Sequence, residues 1–485
     1  YELGVEKSCV YATIFRNHVE KGDLDIEAIG SSFIRRTADA YFNEVSPFTN
    51  HLGMFVTTIL GQGTSEQQAE WLPKALSVQI IGTYAQTELG HGSFIRGLET
   101  TATYDADAEQ FVLHSPTLSS HKWWAGGLGK TANHAIVIAQ LYSKGECHGT
   151  HPFIVQIRDT DTHMPLPGVR VGEIGPKMGY NTADNGFLGF DQYRIPKENM
   201  LMKNAQILKV SFKVSHKKMT YGTMVFIRVI LVNDAAFNLA KAVTIAVRYS
   251  AVRRQSPEPQ VLDYITQQHK LFIGIATAHA LQMTSGWLWC TFNTVQLHAL
   301  SSCLKAVCTS DSLVLIEQCR FACGGHGYSI SSRLPGLYAY GTAIRTHEGD
   351  YTILMLQCAH CRAVICSTYW SETLRLTASS SPNVRTVTHQ LFMNVIFWQY
   401  SSISEGDIVS LQQRYEELLA LIRPNAVGLV DAFDIRDEVY LSTLGAYDGR
   451  VYERLMDEAL KSPLNAEPVN QSFHTHLKPF MQGKL

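Results

Sequence analysis

The residues able to do chemistry stand in a few short runs: Gly126-Gly127-Leu128-Gly129-Lys130-Thr131, Arg253-Arg254, Cys323-Gly324-Gly325-His326-Gly327, His347-Glu348-Gly349-Asp350, and Cys358-Ala359-His360-Cys361. The first looks like a phosphate loop, whose backbone N–H groups would cradle a phosphate while the lysine reaches it. That loop needs a glycine at 124, where Trp124 stands. Gly127, Gly129 and Ala132 also fit the loose dinucleotide fingerprint, but the β-like run 134–141 follows where a helix should open. His347-Glu348 begins like a zinc-protease helix, and Tyr351 takes the place of its second histidine. No Gly-x-Ser-x-Gly nucleophile turn occurs. The cysteine–histidine run has no second ligand pair at a telling distance, so buried free thiols are expected rather than a metal. Arg253 and Arg254 offer guanidinium forks suited to phosphate oxygens, or else form a solvated helix end.

These runs need elements to hold them, and the chain changes texture twice. Its 485 residues call for two or three packed domains. Residues 1–81 mix apolar and charged positions as helices do. Residues 82–215 hold short β-rich runs (101–104, 111–114, 134–141, 153–157) separated by Gly, Pro, Asn and Asp. From 216 onward the helical texture returns. Leu411, Tyr415, Leu418 and Ile422 form one apolar stripe, which ends before Pro424. The expected fold is therefore α+β, mainly α. It has an N-terminal helical domain (1–81), a central β-barrel-like domain of short strands (82–215), a helical bundle (216–375) and a C-terminal helical domain (376–485).

Composition excludes several classes. Hydrophobic residues at 45% and charged residues at 17% describe a folded globular chain. A net charge of −2 provides no field for nucleic acid, so an anionic ligand would need a local basic cluster. Ten cysteines in this length do not form a secreted disulfide framework. The first residues lack the basic region and apolar core of a secretory signal. The apolar stretch 219–252 is interrupted by Arg228, Asp234, Lys241 and Arg248, so it reads as a buried helix rather than a membrane span.

Longer strings are more specific. YAQTELGHGSFIRGLETTATYD (84–105), KWWAGGLGKTANHAIVIAQL (122–141), IGPKMGYNTADNGFLGFDQYRIPKENML (174–201), RYSAVRRQ (248–255), CGGHGY (323–328), HEGDYT (347–352) and LIRPNAVGLVDAFD (421–434) resemble acyl-CoA oxidases of the peroxisomal type. The resemblance runs from about residue 50 to the end in the family's order. It implies the acyl-CoA dehydrogenase/oxidase fold and FAD-dependent oxidation of a fatty acyl-CoA by O2 to the trans-2-enoyl-CoA and H2O2, in a homodimer. The terminal Gly483-Lys484-Leu485 resembles the Ser-Lys-Leu address of peroxisomal import, which implies an import receptor as partner.

The chemistry needs a base for the α-proton and an acceptor for the β-hydride, and no side chain accepts hydride. Glu348 matches the family's catalytic glutamate, with its backbone N–H helping to polarise the thioester carbonyl. Taken alone it would read as a solvated loop residue. Thr87 resembles the flavin-contacting threonine, and Gly126 a glycine that lets backbone approach the cofactor. Arg253 matches an arginine on the FAD pyrophosphate, and Gly324 and Gly325 the loop near the adenosine half. Arg228 matches a CoA-contacting arginine of the wider superfamily. Trp123 and Trp124 read as packing residues.

The chain also departs from the family. It starts late, lacking the usual N-terminal helical segment, and is short of residues near 255–257 and between about 362 and 400. His347 and Tyr351 replace an aromatic and an asparagine, and Ala125 replaces a proline. Two other readings follow: a homologue that binds acyl-CoA without turnover, and a dehydrogenase that passes electrons to another flavoprotein.

Overall fold

The computed structural model describes residues 49–207, 212–214, 222–255, 259–290, 297–360, 405–437 and 442–461, with single positions at 465, 475 and 478. Most of the expected N-terminal helical domain, the run 362–400 and the terminal tripeptide lie outside the described residues. The chain divides into two compact units. The first comprises Tyr1–Asp234, Ser285–Ser310 and Thr342–Trp370; the second comprises Ala235–Thr284, Asp311–Gly341 and Ser371–Leu485.

In the first unit, a π-helical turn His51–Val56 leads into helix α1 (Thr57–Gln62), followed by α2 (Ser65–Leu76). Thr64 starts α2: its hydroxyl accepts from the Gln67 N–H while the Gln67 side chain accepts from the Thr64 N–H. Strands β1 (Gly82–Ala85), β2 (Thr101–Asp105), β3 (Gln110–His114), β5 (His134–Ser143), β6 (Glu146–Gln156) and β9 (Tyr193–Pro196) form one sheet. β4 (Lys122–Trp123), β7 (Val169–Glu173) and β8 (Gly186–Phe190) form a second, and β10 (Ala205–Ile207) with β11 (Phe212–Val214) a third. β5 organises the first sheet. Its start pairs in parallel with β1 (Gly82 opposite His134) and its end with β2 (Thr101 opposite Gln140), while β6 runs antiparallel beside it.

Because strand side chains alternate, β5 serves two cores. Ile136 and Ile138 pack with Phe55, Ile59 and Tyr84, whereas Ala135, Val137, Ala139 and Leu141 pack with Phe111, Phe153 and Leu188. Burial on both faces explains the unbroken apolar run HAIVIA.

The helices are α3 (Gly222–Val252), α4 (Ile265–Cys290), α5 (Leu297–Ala322), α6 (Leu334–Thr346), α7 (Tyr351–His360), α8 (Glu405–Ile422), α9 (Ala426–Asp431) and α10 (Val451–Leu460). α3 and α5 are long and apolar enough to cross a membrane by composition, but most of each is buried inside the protein. In the second unit Arg248 of α3 ties the C-terminal segment down, donating to Asp431, Asp437 and the Gly445 carbonyl.

Candidate active site

Two loops of the first unit lie side by side. Thr87 follows β1, and its carbonyl accepts from the Trp123 N–H at 2.8 Å. Among the described residues the Thr87 hydroxyl and N–H have no hydrogen-bond partner. A buried ion pair beneath them, Glu88–Lys122 at 2.9 Å, joins the loops. Glu88 accepts from Thr100 N and Oγ1, Glu99 N and Lys122 Nζ, and pairs with His91. Lys122 also donates to the carbonyls of Gln86 and Ile138. Burial pushes the Glu88 carboxyl up, but the Lys122 charge and the donors from Thr100 and Glu99 outweigh it and hold it below the ordinary range. Burial lowers the Lys122 ammonium to about 8.

Gly126 lies on the neighbouring loop. Its carbonyl accepts from Thr83 Oγ1 at 2.7 Å and Asn50 Nδ2 at 3.3 Å. A Cβ there would stand 3.1 Å from Asn50 Nδ2 and 3.2 Å from the Ala183 carbonyl, a tight fit that the neighbours would have to ease by a few tenths of an ångström. Trp123 packs on Phe187, as expected of a packing residue. Trp124 departs from that expectation: a left-handed φ of 76° turns it out of the strand, and it is 54% exposed. The loop that mimicked a phosphate site is filled from within. The Lys130 and Thr131 N–H groups donate to the Asp184 carboxylate, the Gly129 N–H to the Asp184 carbonyl, and Arg158 holds the carbonyls of Leu128, Gly129 and Ala132. An internal carboxylate occupies the place of a phosphate.

Glu348 stands in the turn between α6 and α7. It takes a left-handed φ of 58° just beyond the end of α6, a place usually given to glycine. The next residue, Gly349, has φ 112°, and a Cβ on it would meet Leu354 Cδ2 at 2.6 Å. Two cations hold this turn by its carbonyls. Arg228 Nε donates to the Glu348 carbonyl at 3.1 Å and its Nη1 to Ser302 at 2.8 Å. Lys305, fully buried, donates to the carbonyls of Gly349 at 2.6 Å and Arg345 at 3.2 Å. The Glu348 side chain is treated differently from its backbone: Oε2 is buried and has no hydrogen-bond partner among the described residues. Burial pushes its carboxyl above the ordinary value, against the lowering effect of Arg228 and Lys305. Burial likewise lowers Lys305 to about 7.

The two regions meet through one turn that the sequence reading overlooked. Ala183 accepts from the Gly127 N–H at 2.7 Å, while Tyr180 packs edge-on against His347, with its hydroxyl 3.4 Å from Nε2. Desolvation pushes the basicity of the half-buried His347 down to about 3, so its ring is neutral where it packs against Tyr180. The Tyr351 ring lies under the Arg345 guanidinium, 5.7 Å away. A periodic pattern would not have found Tyr180 or Ala183, because both lie in an irregular turn.

The remaining expected residues belong to the second unit. Arg253 follows α3, and its guanidinium reaches the Tyr452 hydroxyl at 3.4 Å. Gly324 and Gly325 are exposed, with nothing within 4 Å of an added Cβ; Gly324 has φ 58°. Gly327 is the glycine that packing demands, since a Cβ would strike the Arg320 carbonyl. Among the described residues no cluster of His, Cys, Asp or Glu could hold a metal ion.

The family description acyl-CoA oxidase N-terminal matches residues 1–81, acyl-CoA dehydrogenase middle domain 83–193, acyl-CoA oxidase C-alpha1 domain 221–362 and acyl-CoA oxidase 349–482. Acyl-coenzyme A oxidase 1 of Drosophila melanogaster is 40% identical over 604 aligned positions, covering 100% of this chain and 90% of the relative. The chain belongs to the acyl-CoA oxidase family. The peroxisomal acyl-coenzyme A oxidase 1 of Rattus norvegicus is also 40% identical, with 100% and 91% covered. Among solved acyl-CoA oxidases, acyl-CoA oxidase-1 of Caenorhabditis elegans complexed with FAD and ATP superposes with a TM-score of 0.90 at 32% identity, covering 99% of this chain and 90% of that one. The tomato enzyme gives 0.89 at 34% identity, with 99% and 91% covered. The N-terminal family match shows that the likeness extends to residue 1, upstream of the strings that begin near residue 50. An alignment of 604 positions against 485 residues shows that the relative carries segments this chain lacks.

Proposed function

We propose that Glu348 is the general base of an FAD-dependent acyl-CoA oxidase, removing the α-proton of a fatty acyl-CoA thioester. One observation supports this above the others: a carboxylate oxygen is buried beside two cations and left without a hydrogen-bond partner. A dry, unpaired carboxylate is a stronger base than a solvated one. The left-handed turn around it leaves the Glu348 N–H without a partner among the described residues, which suits a donor to the thioester carbonyl. FAD, when bound, supplies the acceptor for the β-hydride and passes the electrons to O2, yielding H2O2. Thr87, whose hydroxyl and N–H have no partner among the described residues, is the residue to hold the isoalloxazine edge, with Gly126 on the neighbouring loop. Arg253 is the residue for the pyrophosphate, and Gly324 and Gly325 leave open space for the adenosine half. Arg228 is buried against the base's own carbonyl, so its role is to set the turn rather than to bind CoA.

The products are the trans-2-enoyl-CoA and H2O2, the opening step of fatty acid β-oxidation. The names of the relatives and the terminal Gly-Lys-Leu support a peroxisomal location reached through the import receptor, and the family supports a homodimer. The test is to purify the protein, record the flavin spectrum and add a long-chain acyl-CoA. Bleaching of the flavin under anaerobic conditions, with H2O2 release in air, is the expected result. Bleaching without H2O2 would make it a dehydrogenase, and absence of flavin a binder. Glu348→Gln should keep the yellow colour and lose about 10²–10⁴-fold in turnover. Full activity in that variant would remove Glu348 from the role.

A further inference from the structure

We propose that Lys305 is a positioning residue for this reaction: its ammonium pins the carbonyls on both sides of Glu348, and its charge offsets the burial of the unpaired carboxylate. The proposal rests on Glu348 being the base. Lys305 lies on α5, in the run SSCLKAV, which carries no chemical signature in the sequence. It is one of the largest fully buried side chains, although lysine is almost never fully buried without a partner. Its Nζ reaches the Gly349 carbonyl at 2.6 Å and the Arg345 carbonyl at 3.2 Å.

These bonds have a consequence for the turn. Glu348 adopts a left-handed backbone that disfavours any side chain, and such a conformation persists only where its surroundings hold it. Lys305 holds the carbonyl three residues before the base and the one just after it, while Arg228 holds the carbonyl of the base itself. The backbone is pinned on both sides, and the side chain stays unbonded at Oε2. The charged groups acting on Lys305 are Arg228 from α3 and Glu348 and Asp350 from the turn, and Lys305 in turn depresses the basicity of His347. Arg228 disfavours the ammonium and the two carboxylates favour it, so Lys305 and Glu348 support each other's ionised forms. Without Lys305 the carboxylate would face burial with Arg228 alone and would hold its proton to higher pH.

The experiment uses the flavin-loaded protein and the variants Lys305→Met, Lys305→Arg and Lys305→Gln, with anaerobic flavin bleaching by acyl-CoA followed across pH. In Lys305→Met and Lys305→Gln the acid limb of the bleaching rate should move to higher pH by about one unit, with a larger fall in the maximal rate than change in KM. Lys305→Arg, which keeps the charge, should leave the limb in place. An infrared difference titration of the carboxyl stretch, with Glu348→Gln as the blank, reads the same shift without turnover. If Lys305→Met does not fold, the Gln variant decides the matter, since its amide keeps a polar donor at the site while the charge is lost. A limb and a carboxyl stretch that stay in place while rates fall evenly at every pH would overturn the proposal and leave Lys305 a packing residue. A Glu348→Gln protein that turns over would instead overturn the base assignment, so the two failures are distinguishable.

Discussion

The first unit contains two glutamates with oxygens shut away from solvent, Glu88 buried and Glu348 half-buried, each near a fully buried lysine, and they behave in opposite ways. Glu88 is surrounded by donors: Thr100 and Glu99 N–H groups, the Thr100 hydroxyl and the Lys122 ammonium all reach its oxygens. Its ionised form is favoured despite burial. The ammonium near Glu348 bonds to main-chain carbonyls instead, one Glu348 oxygen has no partner, and the protonated form gains. Burial alone therefore does not mark a reactive carboxylate. The distribution of donors does, because hydrogen bonds to the charged form offset desolvation and also use up the lone pairs that a proton would need. Glu88 is a structural clamp between two loops, and the Glu348 carboxylate keeps an oxygen with no donor among the described residues.

The comparison is most easily broken by exchanging losses of activity and stability. Glu348→Gln should lose about 10²–10⁴-fold in turnover yet fold, whereas Lys122→Met strands a buried carboxylate and should destabilise the protein by about 3–5 kcal/mol, read as a fall in the urea midpoint. If Lys122→Met were neutral, the clamp would have no structural weight. Next in size is Gly349→Ala, which places a Cβ against Leu354 at a φ only glycine tolerates well. It should cost about 1–3 kcal/mol and lower kcat more than KM, since the turn carries the base.

The pH dependence sharpens the contrast. A carboxyl raised in the folded state contributes stability that is complete below its unfolded value of 4.5 and is lost as pH rises through the folded value. At neutral pH the ionised Glu348 therefore weighs against folding, and Glu348→Gln should melt above the parent protein, the gap closing toward pH 4.5. Glu88, lowered in the folded state, has the opposite sign: its contribution is present above the ordinary glutamate range and is lost on acidification, so Glu88→Gln should melt lower at neutral pH. Thermal melts of both variants across pH check this directly. The smallest effect is expected at Gly324→Ala, where space is open and only φ 58° opposes a side chain; about 1 kcal/mol is expected, with weaker FAD retention read by flavin release on dilution.

Much of the architecture was legible in the sequence because its periodicities are strong. The runs at 101–104, 111–114 and 134–141 are strands β2, β3 and β5, and the stripe from Leu411 to Ile422 lies on α8, with Pro424 in the turn beyond it. Glu348 was found through a motif rather than a period, since HEGDYT alone reads as a solvated loop. Lys305 and Tyr180 were not found, because a lysine inside a helix and a tyrosine inside an irregular turn carry no local signal of their destination.

The sequence by itself determined the family, the alternation of helices and short strands, and which carboxylate stands in the catalytic string. Tertiary structure alone decided which glutamate would be saturated with donors and which left with a bare oxygen, that an aspartate would fill the false phosphate loop, and that two cations would hold the backbone around Glu348. Residue type and spacing carry local geometry, whereas desolvation and hydrogen-bond satisfaction depend on partners far away along the chain, 120 positions apart for Arg228 and Glu348.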